Sequence, residues 1–307
     1  MTTPSTAAST RGFSFVVLAA LCWGTSGFSG SIVARHSDLG PLDIAWHRMA
    51  IGAVALLVPW AITRRRAAPL PPVGRGTTVR LALVGAGLAC YQLAYFAAVA
   101  TAGVSIATLV ALGLAPLLIA VGATLLGSGR PDAPTVVALV VALVGLVLLV
   151  GVSAGAGTGT AVLLGALLAV GSALGYAVVT LAGGGVPAGV PVTLVGFAGG
   201  ALLLTPVALA AGLRLTADPV ALGVLLYLGV VPSALAYALF FTGLRSVPGA
   251  VASIVTLLEP LTATALATLL LGERLAPLAL VGGLLVLAAV AGLYLRRLRQ
   301  PVPVAGA

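Results

Sequence analysis

Glu259 lies in the middle of a membrane-length apolar stretch, Val247 to Leu271. A carboxylate at the bilayer midplane costs roughly 2.5–3.5 kcal/mol on insertion scales and more in simulation. Such residues face a cavity or a partner, and they mark ion or substrate paths by default. The next residue, Pro260, has no backbone N–H and weakens a helix at that depth. A charge and a helix defect together at the midplane point to a transport site. Two functional roles fit Glu259: carrier of a coupling proton, or partner of a substrate ammonium. A protonated carboxyl bonded to a neighbouring helix is the structural alternative. No other acid falls in mid-span, so a proton route would rest on this carboxyl and water.

Other chemistry-bearing side chains occupy apolar segments as well. Arg48 has the geometry to attract a carboxylate. It equally suits headgroup snorkelling, or pairing with Asp43 or Asp38. His47 reads as interfacial. Trp23 and Thr25 combine an aromatic face with a hydroxyl and are cavity candidates. Gly24, Gly27 and Gly30 form a stripe suited to close helix approach, and Gly171 to Gly175 is another small-residue contact. Tyr91, Tyr95, Tyr176 and Tyr237 lie within spans, where each hydroxyl needs a partner, so a polar cavity or core packing accommodates them. Pro116 and Pro260 sit at equivalent places in a repeat. Each is expected to free a carbonyl one turn earlier, shaping a cavity or fixing a kink.

The elements that position these groups are membrane helices. Of the 307 residues, 61% are hydrophobic and only 7% are charged, with a mean hydropathy of +1.23. A soluble domain with so few charges has no way to hide that apolar surface. Continuous rather than alternating apolar runs exclude a transmembrane β-barrel. The fold class is therefore all-α integral membrane. Ten spans are expected, at about 13–33, 42–62, 79–99, 103–127, 134–151, 160–181, 191–211, 219–241, 247–271 and 276–295. The first is too long for a signal-peptide core and reads as a retained helix. The net charge of +9 is carried by Arg in flanking loops and indicates no nucleic-acid partner. With both termini cytoplasmic, the inside segments hold Arg11, Arg64, Arg65, Arg66, Arg75, Arg80, Arg130, Arg245, Arg296, Arg297 and Arg299. Arg35, Arg48, Arg214 and Arg274 then lie toward the outside.

A gapless shift of 144 residues (259 minus 115) places Ala115-Pro-Leu-Leu118 on Glu259-Pro-Leu-Thr262. It also places Ala123-Thr-Leu-Leu126 on Ala267-Thr-Leu-Leu270, and Arg130 on Arg274. The division is a tail 1–12, a five-helix repeat 13–151, a Gly-rich linker 152–159, a second five-helix repeat 160–295, and a tail 296–307. Five is odd, so the second repeat enters the membrane inverted relative to the first, a design typical of alternating-access transporters.

Several motifs carry a family resemblance. Trp23-Gly-Thr-Ser-Gly-Phe28 resembles a first-helix signature of the ten-helix EamA-type members of the drug/metabolite transporter superfamily. Arg48, Tyr95-Phe-Ala-Ala98 followed by Ala115-Pro116, and Leu258-Glu-Pro260 followed by Leu271-Gly-Glu-Arg-Leu275 match further family patterns. The first half has Gly129 where the second has Glu273, so it lacks the acidic residue usual in that short loop. The resemblance spans residues 13 to 295. It implies an inner-membrane carrier, an exporter of amino acids or other small metabolites driven by an ion gradient or by exchange.

Partners are then a small-molecule substrate, the lipid bilayer and, if coupled, protons. A monomer suffices, and a homodimer is compatible. No phosphate loop, zinc spacing or nucleophile elbow occurs, and Cys22 and Cys90 have neither disulfide nor metal spacing, so no cofactor, metal or enzymatic activity is expected. Two other functions stay open: a proton-coupled efflux pump for lipophilic cations, and a membrane-embedded lipid-modifying enzyme. The second has only His47, Arg48 and nearby acids to work with.

Overall fold

The computed structural model describes residues 6–64, 73–150, 160–271 and 277–299. The helices run in chain order as α1 Thr6–Gly24, α2 Ser26–His36, α3 Pro41–Arg64, α4 Arg75–Leu125, α5 Ala133–Val150 and α6 Thr160–Gly184. They continue as α7 Val192–Ala210, α8 Pro219–Gly229, α9 Ala236–Gly243, α10 Gly249–Val255, α11 Leu258–Leu271 and α12 Pro277–Arg299. A π-helical turn, Val230–Leu235, joins α8 to α9. No strand occurs among the described residues. In lipid each backbone polar group must find its partner within the protein, and only continuous or locally repaired helices satisfy that in a single segment.

Nine segments among the described residues have the length and apolar character to cross a membrane, and a shorter apolar helix lies at Ala133–Leu149. They coincide with the ten expected spans to within a few residues. The chain is an all-α, multi-pass membrane protein. The linker 152–159, residues 65–72, residues 272–276 and the ends of both tails lie outside the described residues.

Two kinds of surface hold the helices in place. Leu163, Leu167, Leu202, Leu269 and Leu284 are highly exposed, which suits a lipid-facing perimeter. Inside, small residues let backbones approach. A Cβ on Gly145 of α5 would lie 2.7 Å from the Gly282 carbonyl of α12. Between α4 and α6, a Cβ on Gly87 would lie 2.9 Å from the Gly175 carbonyl. Without a hydrophobic drive between helices in lipid, such close contact is a principal source of association.

The third and fourth spans form one helical run, α4, kinked at Gly103 with φ of 82°. Only glycine enters that left-handed region without steric cost. The gapless repeat carries over to the structure here, because α4 begins at Arg75 and α8 begins 144 residues later at Pro219.

Candidate functional site

Three spans are interrupted in their interiors. The first is interrupted at Thr25, between α1 and α2. Thr25 turns its hydroxyl back onto the Cys22 carbonyl at 2.7 Å. The eighth is widened by the π-helical turn, which contains Pro232 and in which the Ser233 hydroxyl donates to the Leu228 carbonyl at 2.7 Å. The ninth is interrupted at Thr256 and Leu257, between α10 and α11. There Leu257 N–H donates to the Ile254 carbonyl and Glu259 N–H to the Thr256 carbonyl, at 3.1 and 2.9 Å. Both bonds span three residues instead of four, so the chain passes through a tight turn.

That geometry corrects the expectation for Pro260. The break precedes the proline, and Pro260 is the third residue of α11. Its missing N–H belongs to a first turn that has no intrahelical partner anyway. No carbonyl is freed at Thr256, since Glu259 N–H occupies it. Pro116, by contrast, is interior to α4, where the missing bond is a real loss.

The first span brings the breaks together. A Cβ on Gly24 would collide with Thr262 and lie 2.8 Å from the Glu259 carbonyl. Only glycine at that position lets α1 touch the start of α11. Gly30 has open space around it, so of these two glycines only Gly24 makes a close contact. On another side, Tyr227 of α8 donates its hydroxyl to Thr25 Oγ1 at 2.9 Å. Tyr227 escaped the sequence reading, although it is an in-span tyrosine like the four chosen.

Glu259 is the second residue of α11 and lies in its first turn. A helix N-terminus carries partial positive charge, which favours a carboxylate there. The residue lies deep in the protein and is half-buried. Arg48 of α3 is buried and is the cation whose field acts on Glu259. Its Nε donates to Ser233 Oγ of the π-helical turn, at 3.4 Å. Arg48 does not pair with Asp43, whose carboxylate instead accepts from the Gly40 and Arg214 backbone amides. Among the described residues, Glu259 and Arg48 form no ion pair with each other. Arg48 and Glu259 thus share the interior without a direct ion pair.

Aromatic side chains gather around them. The Trp23 ring centroid is 4.8 Å from Tyr237, 5.2 Å from Phe240 and 6.3 Å from Tyr176. Tyr91 lies 5.7 Å from Tyr176 and 6.3 Å from Tyr95. Glu259 interacts electrostatically with all four predicted tyrosines. Tyr95 is satisfied by Thr108 at 2.8 Å. Among the described residues, the buried side-chain polar atoms without a hydrogen-bond partner are Trp23 Nε1, Ser26 Oγ and Tyr176 Oη. The Thr256 and Thr180 hydroxyls lie near Tyr176 Oη; each donates to its own helix carbonyl and keeps lone pairs available to the tyrosine. An unsatisfied buried donor costs about 1–3 kcal/mol. All three orphans belong to the region of the breaks, where an incoming polar molecule would satisfy them.

The structure therefore gathers Trp23, Thr25, Arg48, Tyr91, Tyr95, Tyr176, Tyr237 and Glu259 into one interior region, with Pro260 beside it. Pro116 stands apart, within the continuous fourth span. Ser233, Thr256 and Tyr227 join the region unforeseen.

Comparison with known proteins agrees with this architecture. A protein of known crystal structure, 21% identical, superposes with a TM-score of 0.78, over 94% of this chain and 98% of the other. The two share a fold. An uncharacterized transporter of Bacillus subtilis (strain 168), YwfM, is 32% identical over 281 residues, covering 90% of this chain and 93% of the relative. The model of the EamA-like transporter family matches twice, at residues 10–151 and 162–295. The chain belongs to the EamA-like transporter family and is a multi-pass membrane transporter.

Proposed function

We propose that the protein exports a small zwitterionic metabolite, of which an amino acid is the simplest that fits, across the bacterial cytoplasmic membrane. One observation carries the reading. A buried arginine and a deep carboxylate lie in one region, unpaired with each other, among aromatic rings and orphaned polar atoms. Arg48 would take the substrate carboxylate, and Glu259 would take its ammonium or carry the coupling proton. Trp23 Nε1 and Tyr176 Oη would complete the polar contacts. A substrate with both charges neutralises two groups that otherwise stay uncompensated in low dielectric.

Transport follows from the repeat. The two five-helix halves, 13–151 and 160–295, rock about the central region and open it to each side in turn. The Arg-rich loops face the cytoplasm, with both termini on that side. A gradient or exchange supplies the energy. A single chain contains the whole path.

The test is metabolite profiling of the medium from cells that express wild type, Glu259→Gln or empty vector, at matched membrane levels. A metabolite enriched only with wild type names a substrate and ties Glu259 to its movement. No difference among the three removes the exporter reading.

A second reading has its own support. A lone deep carboxylate beside Trp23, Tyr176 and Tyr237 offers ring faces and a counter-charge to a lipophilic cation. Glu259-dependent efflux of a fluorescent cation, without metabolite enrichment, would select it.

A further inference from the structure

A second concavity lies away from the aromatic region, at the Arg-rich end of the molecule. Its volume is about 630 Å³. It is lined by Arg80 at the start of α4, by Arg130 and Asp132 in the turn before α5, and by Arg296 near the end of α12. Leu181, Leu244 and Leu293 give it apolar walls. Three guanidinium groups thus face a single carboxylate in a hollow with low-dielectric sides, which concentrates positive potential.

The charges are unequally committed. Arg80 donates to the Gly185 carbonyl at the end of α6. That bond fixes the side chain but leaves its charge uncompensated. Arg296 is paired with Asp132. Asp132 also accepts from Thr135 N–H at 3.1 Å, capping α5. Chiefly through the Arg296 hydrogen bond, the Asp132 carboxyl is held well below the usual carboxylate range. It is engaged by Arg296 and the Thr135 amide, and it makes no hydrogen bond or ion pair with Arg130. Among the described residues Arg130 has no hydrogen-bond or ion-pair partner, and it is exposed to the hollow. A requirement for positive charge at this end would be met by arginines on any loop. It does not account for their convergence on one concavity, with the only carboxylate in it already occupied.

Thr180 and Gly249 also line the hollow, and a Cβ on Gly249 would lie 3.2 Å from Ile119 and 3.4 Å from Thr180. Thr180 donates to the carbonyl of Tyr176, one turn away.

We propose that the vestibule is an oxyanion-binding site in which Arg130 receives the carboxylate or phosphate group of a molecule arriving from the Arg-rich side. Arg80 and Arg296, held by their own contacts, shape the positive field around it. The proposal rests on the exporter reading only for its purpose, which is loading of cargo from the cytoplasm. Binding itself does not depend on transport. A free carboxylate and an anionic lipid headgroup share this chemistry.

The experiment uses the full chain in nanodiscs and follows 4-fluorobenzoate by ¹⁹F NMR. An Arg48→Gln background removes the central arginine. In neutral phosphatidylcholine, one saturable site is expected to remain. Adding Arg130→Gln should weaken it about fivefold, the upper range for one exposed charge, with partial recovery in Arg130→Lys. Adding Arg245→Gln, on another loop at the same end, should leave it unchanged. Raising salt from about 50 to about 300 mM should weaken wild-type binding as screening shortens. Equal affinity with and without Arg130, or equal loss with Arg245→Gln, overturns the proposal. If phosphatidylglycerol in the disc displaces the probe in an Arg130-dependent way, the site stands and its occupant is the headgroup. If Arg130-dependent binding persists while no metabolite is exported, the exporter reading fails and this site does not.

Discussion

The fourth and ninth spans descend from the same place in the repeat, yet they have opposite mechanics. The fourth, Ile106–Leu125, runs without interruption through Pro116. Beside that proline stands Ala115, almost fully buried at 2% exposure. The ninth, Gly249–Leu270, is cut at Thr256 and Leu257, and Glu259 stands where the fourth span has Ala115. A carboxylate is tolerable in the ninth span because the break gives it a helix N-terminus. The fourth span offers none at Ala115. One half of the repeat carries the proline inside a continuous helix, and the other carries it in the first turn after a break.

The sharpest way to break this comparison is to exchange the two chemistries. If Glu259 takes the substrate ammonium as proposed, Glu259→Gln is expected to cut gradient-driven transport by on the order of a hundredfold, about 3 kcal/mol, as truncating one partner of a buried charge pair does. Folded yield should be preserved. Ala115→Glu should do the reverse damage. A carboxylate placed in an uninterrupted, buried helix costs on the order of 3 kcal/mol, and size-exclusion chromatography should report lost folded protein. A well-folded Ala115→Glu variant, or an active Glu259→Gln variant, would mean that the two spans are not distinguished in this way.

A smaller effect probes the contact that joins the breaks. Gly24→Ala drives a methyl group against Thr262 and the Glu259 carbonyl. Overpacking of that kind costs about 1–3 kcal/mol, and the melting temperature in detergent should fall. Gly30→Ala enters open space and removes a flexible residue from α2, so it should be neutral or stabilising by up to about 1 kcal/mol. Equal melting temperatures for the two variants would show that α1 does not press on α11 as described.

The spans were legible because hydrophobicity over about 20 residues is a strong signal in a chain with almost no competing charge. Glu259 and Arg48 were legible for the same reason, as isolated charges in apolar segments. The position of the ninth-span break was not. Pro260 drew attention as a helix breaker, whereas the tightened turn forms upstream at Thr256 and Leu257, where only the Ser253 and Thr256 hydroxyls hint at local backbone bonding. Pro232 and Ser233 were a readable mid-span signal for the π-helical turn that was passed over. The Gly24, Gly27 and Gly30 pattern overstated its case, since helical spacing shows which residues share a face but not whether a neighbour arrives there. Partner choice was equally hidden. Arg48 reaches Ser233, 185 residues away, while Asp43, five residues before it, serves the Gly40 and Arg214 amides.

The smallest expected effect separates the two prolines themselves. Pro116→Ala restores an N–H that can bond to the Leu112 carbonyl inside α4. In a soluble helix the gain would approach 3 kcal/mol. In a membrane bundle, neighbouring groups already compensate in part, so about 1 kcal/mol of stabilisation is expected. Pro260→Ala restores an N–H in the first turn of α11, where no intrahelical acceptor waits. Its effect should stay within about 0.5 kcal/mol. Amide hydrogen exchange reads the difference directly, because protection around residues 112–118 should rise in the first variant and protection around residues 256–262 should not change in the second. Were Pro260→Ala the more stabilising of the two, the break in the ninth span would have to be assigned to the proline after all. The tight turn at Thr256 and Leu257 would then be its consequence and not the feature that admits Glu259.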